Sequence, residues 1–451
     1  MYVEAMHVGT QRDCRARFIV QLKPGTAVSA ARQRIDTVLS GFVGASIVRA
    51  IECGETGFVV VAGCDDVVCA PAVSALADLV ALVEADGVMS LDSDAQTPPP
   101  PPPPAQIQEV LRDSWSLDAV SKPESVEQQN GLYEYDYTGT GVNVYLLDTG
   151  IRLNHTEFGG RARTMVSLTG EVPECDDCNG HGTHVAGSVG GKTFGVAKNV
   201  TLHSVQVLGV NGSAFTSTVV EGVCYVGAFG VRPAVLVLSL GGFKSQPLDN
   251  AIREVYNQGF YSAVAAGNSA DNACDYSPAK ALFAVTVGNH DRDGVKASTS
   301  NYGYLNTIAL KKFLSFFFFP FCSACVKVWA PGERIRSAYI ESETSTTVMS
   351  GTSMAAPHVG GAMALMLEQN PWASFSQILT SLQEQSKTQK LYDANNTIFQ
   401  DGRVPILNSR ATVTPCLGHC RTTLAFINGS EVDIATAHFV LQDKGNVTLW
   451  V

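Results

Sequence analysis

Val142-Asn143-Val144-Tyr145-Leu146-Leu147-Asp148-Thr149-Gly150 is an apolar run that stops at an acid and a glycine. A short run of this kind, rich in Val and Leu, reads as a strand buried on both faces. Similar runs recur at 202–208, 235–240, 261–265 and 284–287. Helix-period segments separate them at 182–191, 216–229, 248–258 and 353–369. Buried strands alternating with helices predict an α/β fold with a mainly parallel central sheet. Asp148 falls at a strand end, where the sites of such folds form, although a capping aspartate would look the same.

Working outward, residues 106–388 form the large block that holds these elements. Upstream, 16–95 read as a small α+β unit. A strand at 17–22 ends at Pro24-Gly25, and a helix follows around 30–39. Strands come near 46–51 and 57–62, a second helix at about 72–84, and a last strand at 88–91. The linker 96–105 contains seven consecutive prolines, Pro98 to Pro104, which form a stiff extended spacer. Residues 389–451 are a tail with no strong pattern.

The chain has 451 residues, 45% of them hydrophobic and 16% charged, enough for a sizeable core and more than one domain. A net charge of -11 without a Lys/Arg cluster argues against nucleic acid as a partner. No run reaches the roughly 18 apolar residues of a membrane helix, and the greasiest stretch, 313–321, carries Pro320. No membrane partner is expected. The N-terminus as given lacks the basic start and apolar core of a signal peptide. Twelve cysteines, with N-x-S/T sequons at Asn154, Asn199, Asn211, Asn395, Asn428 and Asn446, favour a secretory route. The expectation is a secreted or vacuolar glycoprotein with disulfides.

Three motifs carry chemistry. Asp148-Thr149-Gly150 would also suit an aspartic peptidase, but that chemistry needs a second carboxylate motif, and none exists. His181 stands in Asn179-Gly180-His181-Gly182-Thr183-His184, at a helix start. The Glu of the HExxH metal motif is missing, so His184 reads as a packed structural histidine. Ser353 stands in Ser350-Gly351-Thr352-Ser353-Met354-Ala355, where small residues surround a hydroxyl at a helix start with unpaired backbone N–H groups. The order is Asp, His, Ser, and the G-x-S-x-G elbow is absent.

With LLDTGI, NGHGTHVAG and SGTSMAAPHV in this order, residues 106–388 resemble the subtilisin-like serine proteases, in particular the proteinase K and aqualysin branch. Ser239-Leu240-Gly241-Gly242 and Ala265-Ala266-Gly267-Asn268 match as well. Residues 16–95 resemble the inhibitory propeptide of the same family. The resemblance implies a three-layer domain and a serine endopeptidase acting on polypeptides, with Asp148, His181 and Ser353 as triad and Asn268 as oxyanion donor. It implies that Ser239–Gly242 and Gly212-Ser213 flank the substrate and that Ala265, Ala266 and Gly267 line the first pocket. Broad cleavage with an apolar or aromatic preference follows. So do autoprocessing, the chain's own propeptide as intramolecular inhibitor, a monomer, and chemistry without a cofactor. A catalytically silent, propeptide-inhibited binding protein is the alternative.

The sequence also departs from the family pattern. Cys274 and Cys325 match a family disulfide. Cys178 matches a half-cystine whose partner position is Val210, leaving it free or paired locally with Cys175. A family calcium ligand, an Asp, is replaced by Lys327, which argues against that calcium site and leaves no metal ligand expected. Residues 304–323 interrupt the expected join between Gly303 and Cys325 with a phenylalanine-rich insert. Its composition, and codons that fit splice signals at both ends, suggest a retained intron. A hydrophobic binding loop is the competing reading.

Overall fold

The computed structural model describes residues 17–42, 45–63, 66–86, 88–91, 115–121, 131–133, 135–170, 175–303, 325–384, 387–389, 404–407, 423–425 and 446–448. The polyproline linker and the insert at 304–323 lie outside the described residues.

Strands β1 (Arg17–Leu22), β2 (Ser46–Cys53), β3 (Thr56–Ala62) and β4 (Val80–Ala85) form an antiparallel sheet in the order β2-β3-β1-β4. Helices α1 (Val28–Leu39) and α2 (Asp66–Ser74) cover one face. Strand alternation sorts the side chains. Phe18, Val20 and Leu22 of β1 and Val59 and Val61 of β3 pack with Ile35 and Leu39 of α1. Ile19, Ile51, Phe58 and Val60 belong to the other face. The helix expected at 72–84 is not formed: α2 ends at Ser74, and β4 pairs along β1, with Val20 opposite Val83. Six residues, Val-Ala-Leu-Val-Glu-Ala, satisfy either period, and the open edge of β1 decides between them. Strand β5 (Val88–Leu91) leaves this sheet for another.

The large block begins with helix α3 (Trp115–Ser121), strands β6 (Asn143–Asp148) and β7 (Ala162–Ser167), and helix α4 (His181–Gly190). Next come β8 (Thr201–Gln206), β9 (Ser213–Phe215), α5 (Thr216–Phe229), β10 (Ala234–Leu238) and β11 (Leu240–Phe243). Then follow α6 (Gln246–Asn257), β12 (Tyr261–Ala265), β13 (Tyr276–Ser277), β14 (Ala284–His290) and β15 (Val328–Pro331). The hairpin β16 (Ile335–Ala338) and β17 (Thr346–Met349) leads into α7 (Thr352–Gln369) and α8 (Phe375–Glu384). Strands β18 (Lys387–Gln389) and β19 (Val404–Ile406) close the series.

The central sheet runs β18-β19-β15-β14-β12-β10-β6-β8-β7, and only β18 is antiparallel to its neighbour. This is the α/β architecture with a mainly parallel central sheet that the sequence predicts. The sheet continues past residue 388, because β18 and β19 add to its edge; three-residue strands leave no periodicity to read. Leu236 and Leu238 of β10 pack with α5 and α6, whereas Val237, pointing the other way, meets α7 at Gly360. The sheet is therefore covered on both faces, as a parallel sheet requires.

Residues 1–412 form one compact unit and 413–451 a second, in which β20 (Thr423–Ala425) pairs antiparallel with β21 (Asn446–Thr448). Within the first unit, the second face of the small sheet docks on α5 and α6. Ile19, Ile51, Phe58 and Val60 share one core with Val219, Val223, Val226, Leu248, Ile252 and Val255. Around this core, Arg49 pairs with Glu221 and Asn250 Nδ2 donates to Gln21 Oε1 at 2.7 Å.

Glu84 in β4 and Asp86 just after it serve helix starts in the large block. The residue preceding α5 is Phe215, which offers no capping side chain. Asp86 takes that role, accepting from Ser217 N at 2.9 Å and Ser217 Oγ at 2.6 Å. Glu84 Oε2 accepts from Gln246 N, at the start of α6, at 3.0 Å. Both carboxylates also sit at the positive end of a helix dipole.

Candidate active site

Asp148 is the last residue of β6 and His181 the first of α4, so the parallel sheet brings a strand end to a helix start. His181 Nδ1 lies 2.7 Å from Asp148 Oδ1. An ionised carboxylate can only accept, so Nδ1 carries the proton and Nε2 presents its lone pair. The two side chains are 0% and 1% exposed, so bulk water does not compete for this bond. Gly182 is required by the approach itself: a Cβ there would stand 2.1 Å from the Gly150 carbonyl oxygen.

Asp177 organises the loop that delivers His181. Its Oδ1 accepts from Thr149 Oγ1 and from the amides of Asn179 and Gly180, and its Oδ2 accepts from Thr183 N and Oγ1, all between 2.6 and 3.0 Å. It thereby ties the residue after Asp148 to the loop and first turn around His181. Sequence reading passed over Asp177; its place four residues before the histidine, among turn formers, was the available signal.

Ser353 is the second residue of α7, an almost entirely buried helix. Gly351, which precedes the helix, has φ +143, a value that L side chains rarely adopt. Ser353 Oγ donates to the Ser239 carbonyl at 3.0 Å, and Ser239 Oγ returns a bond to the Ser353 carbonyl at 2.8 Å. His181 Nε2 is buried without a hydrogen-bond partner among the described residues. The hydroxyl is thus bonded to the Ser239 carbonyl, between β10 and β11, and not to the imidazole. Beside it, Asn268 Oδ1 accepts from Thr352 N at 3.0 Å and Thr352 Oγ1 at 3.1 Å. Two donors on the oxygen fix the direction of the amide NH₂.

Next to this site, β9 and β11 are separated by one strand, and the chain itself fills the gap. β5 pairs antiparallel with both, Ser90 lying opposite Ser213 on one side and Gly241 on the other. Leu91 pairs with Leu240, next to Ser239, so β5 runs toward Ser353. Gly212 is buried in the turn before β9. A cavity of about 190 Å³ opens beyond β11. Gly241, Gly242, Ala265, Ala266 and Gly267 line it, together with Phe243, Ser269, Tyr276, Ser277 and Ala279.

The profile of the peptidase S8 subtilase family matches residues 139–402. The chain belongs to the subtilase family. An extracellular serine proteinase of Thermus sp. (strain Rt41A) is 44% identical over 269 residues, 60% of this chain and 60% of that protein. Alkaline serine exoprotease A of Vibrio alginolyticus is 37% identical over 316 residues, 70% of this chain and 53% of that protein. This subtilase chain therefore spans little more than half the length of either relative. The crystal structure of a cold adapted subtilisin-like serine proteinase aligns with a TM-score of 0.57 at 36% identity, over 66% of this chain and 98% of that one.

Other residues of this subtilase singled out in its sequence have clear positions. Cys274 and Cys325 are bridged, with Cα atoms 5.5 Å apart, and Cys175 is bridged to Cys178. A third bridge, Cys53–Cys224, was not foreseen. His184 is fully buried against the Ile335 carbonyl at 3.0 Å, and burial pushes its pKa down to about 3. Lys327 follows the Cys274–Cys325 bridge on the approach to β15, where its backbone N–H donates to the Thr286 carbonyl. Among the described residues no three His, Cys, Asp or Glu side chains gather as a metal site, and no helix is long and apolar enough to cross a membrane. Gly303 and Cys325 are neighbours in space: a Cβ on Gly303 would stand 2.8 Å from the Cys325 nitrogen.

Proposed function

We propose that this subtilase is a serine endopeptidase made as an autoprocessed zymogen. The observation that carries the reading is the buried 2.7 Å bond between His181 Nδ1 and Asp148 Oδ1, which leaves the partnerless Nε2 as a base. Ser353 Oγ exchanges the Ser239 carbonyl for Nε2 by rotation about Cα–Cβ. His181 takes the hydroxyl proton as Oγ attacks the scissile carbonyl, and Asp148 stabilises the imidazolium. The oxyanion receives hydrogen bonds from the Asn268 side chain and the Ser353 amide. His181 then protonates the leaving amine, and water repeats the sequence on the acyl-enzyme. No cofactor enters these steps. Lys327 is a poor occupant of the family's calcium site, since an ammonium repels the ion.

A substrate would take the place of β5, adding as a strand between β9 and β11. Backbone bonding gives breadth, and the small-residue cavity at Ala265–Gly267 favours an apolar or aromatic side chain before the cut. The domain of residues 16–95 would act as the intramolecular inhibitor, with cleavage between Asp94 and about Arg112. Secretion as a monomer fits the cysteines and sequons; Asn154, Asn199 and Asn211 are exposed.

A fluorophosphonate probe tests the reading. After removal of residues 16–95, Ser353 becomes labelled if the protein is a peptidase. A folded, processed protein that stays unlabelled supports the silent binding protein, the reading favoured by the orientation of Ser353 Oγ. We further propose that 304–323 is retained intron, supported by the adjacency of Gly303 and Cys325. A mature transcript that keeps the insert overturns this.

A further inference from the structure

We propose that the Cys53–Cys224 bridge keeps the N-terminal domain covalently attached after the junction is cut, so that full activity requires a thiol as second activator. The inference rests on the zymogen reading above and goes beyond it.

Cys53 ends β2 of the small sheet, and Cys224 lies in the middle of α5. Their Cα atoms are 4.7 Å apart across the docked interface. Cys53 is 1% exposed and Cys224 2% exposed, within the core shared by Ile51, Phe58, Val220 and Val223. Among the described residues, this bond, which spans 171 positions of sequence, joins the two domains in addition to the peptide chain of residues 92–114. Cleaving the linker removes only the first connection.

The consequence is one of effective concentration. A dissociable inhibitor leaves by dilution once cut. A tethered one faces its site at an effective concentration in the millimolar range, so a strand binding with a Kd of about 1 µM stays docked more than ~99% of the time. Here the tether has no slack, because the sulfurs bond inside the interface itself. β5 therefore returns to its slot between β9 and β11 after every excursion.

Opening the bridge takes two equivalents of a small thiol. A thiolate attacks one sulfur and displaces the other as a cysteine thiolate. A second thiol resolves the mixed disulfide, leaving two cysteine thiols and one small-molecule disulfide. The buried sulfurs impose an order. While the domain is docked the thiol has no path to them; cutting the linker frees the domain to pivot on the bridge during its brief excursions, and only then are the sulfurs exposed. Proteolysis comes first and reduction second.

The test uses the full chain with the recognition sequence of a site-specific protease inserted after Pro104. In a Ser353→Ala background, the cut protein should run as one species in denaturing electrophoresis without reductant, and as two with dithiothreitol. Separation without reductant overturns the tether whatever the activity. In the Ser353 background, the cut protein should react with a fluorophosphonate at least ~100-fold more slowly than cut Cys53→Ser or Cys224→Ser protein, neither given reductant. The substitutions are needed because dithiothreitol also opens Cys175–Cys178 and Cys274–Cys325. Equal labelling of the bridged and unbridged forms overturns retention of the inhibitor. If no form is labelled yet the fragments stay linked, the peptidase reading falls and the tether stands. The electrophoresis leaves both cysteines intact, so it decides even if the serine variants fail to fold.

Discussion

The nine-stranded sheet is covered on both faces by helices of its own segment, α7 on one side and α5 and α6 on the other. The four-stranded sheet has α1 and α2 on one face only, and covers the other with α5 and α6 of the large block. One pair of helices therefore serves both sheets within a single core. The small sheet is the dependent partner: alone, it would expose Ile19, Ile51, Phe58 and Val60 to water. A unit built this way is held in shape by the surface it covers, and loosening one loosens the other.

If the chemistry belongs wholly to the large block, Ser353→Ala should lower kcat on casein by about 10⁶-fold without changing how the small domain docks. A variant that keeps its activity would break the division at once. If the small sheet depends on its borrowed face, Phe58→Ala should cost about 3–5 kcal/mol. It should split urea unfolding into two transitions, the small domain melting first. A single transition at the wild-type midpoint would show that the small sheet does not depend on the face it shares with α5 and α6.

Acid should weaken the large block. Burial holds the His184 pKa down at about 3 and that of His358 at about 4, against an ordinary 6.5. Well above pH 6.5 both histidines are neutral folded or unfolded, and stability is at its full value. As pH falls below 6.5 the unfolded chain binds protons that the folded chain refuses, so stability declines down to pH 3–4. The first unit below 6.5 should cost about 1 kcal/mol per histidine, read as a falling Tm. A flat Tm between pH 6.5 and 5 contradicts this burial. Asp86→Ala should have the smallest effect, about 1 kcal/mol, visible as faster hydrogen exchange at the Ser217 amide with the rest of α5 unchanged.

The large block was more legible than the small domain, for a physical reason. Fully buried strands such as β10 and β12 are continuous apolar runs, and α5 keeps its helical pattern from 216 to 229. The motifs around Asp148, His181 and Ser353 mark the strand end and helix starts where these residues stand. The β4 segment fits a helix as well as a strand, and only its pairing with β1 settles it. β18 and β19 are too short to show a period. Cys53–Cys224 could not be read at all, since its partners meet only where the small sheet docks on α5. Asp86 is equally silent, because the helix it caps begins 130 residues later.

The join between Gly303 and Cys325 has a use of its own. Two backbone positions already in contact form a port: sequence spliced there leaves and re-enters the scaffold at one point. Closing a longer loop adds only about 0.6 kcal/mol for each doubling of its length. A polar peptide tag grafted between these residues should leave the sheet and the Asp148–His181 pair where they are, making this the place to attach a label without disturbing the fold.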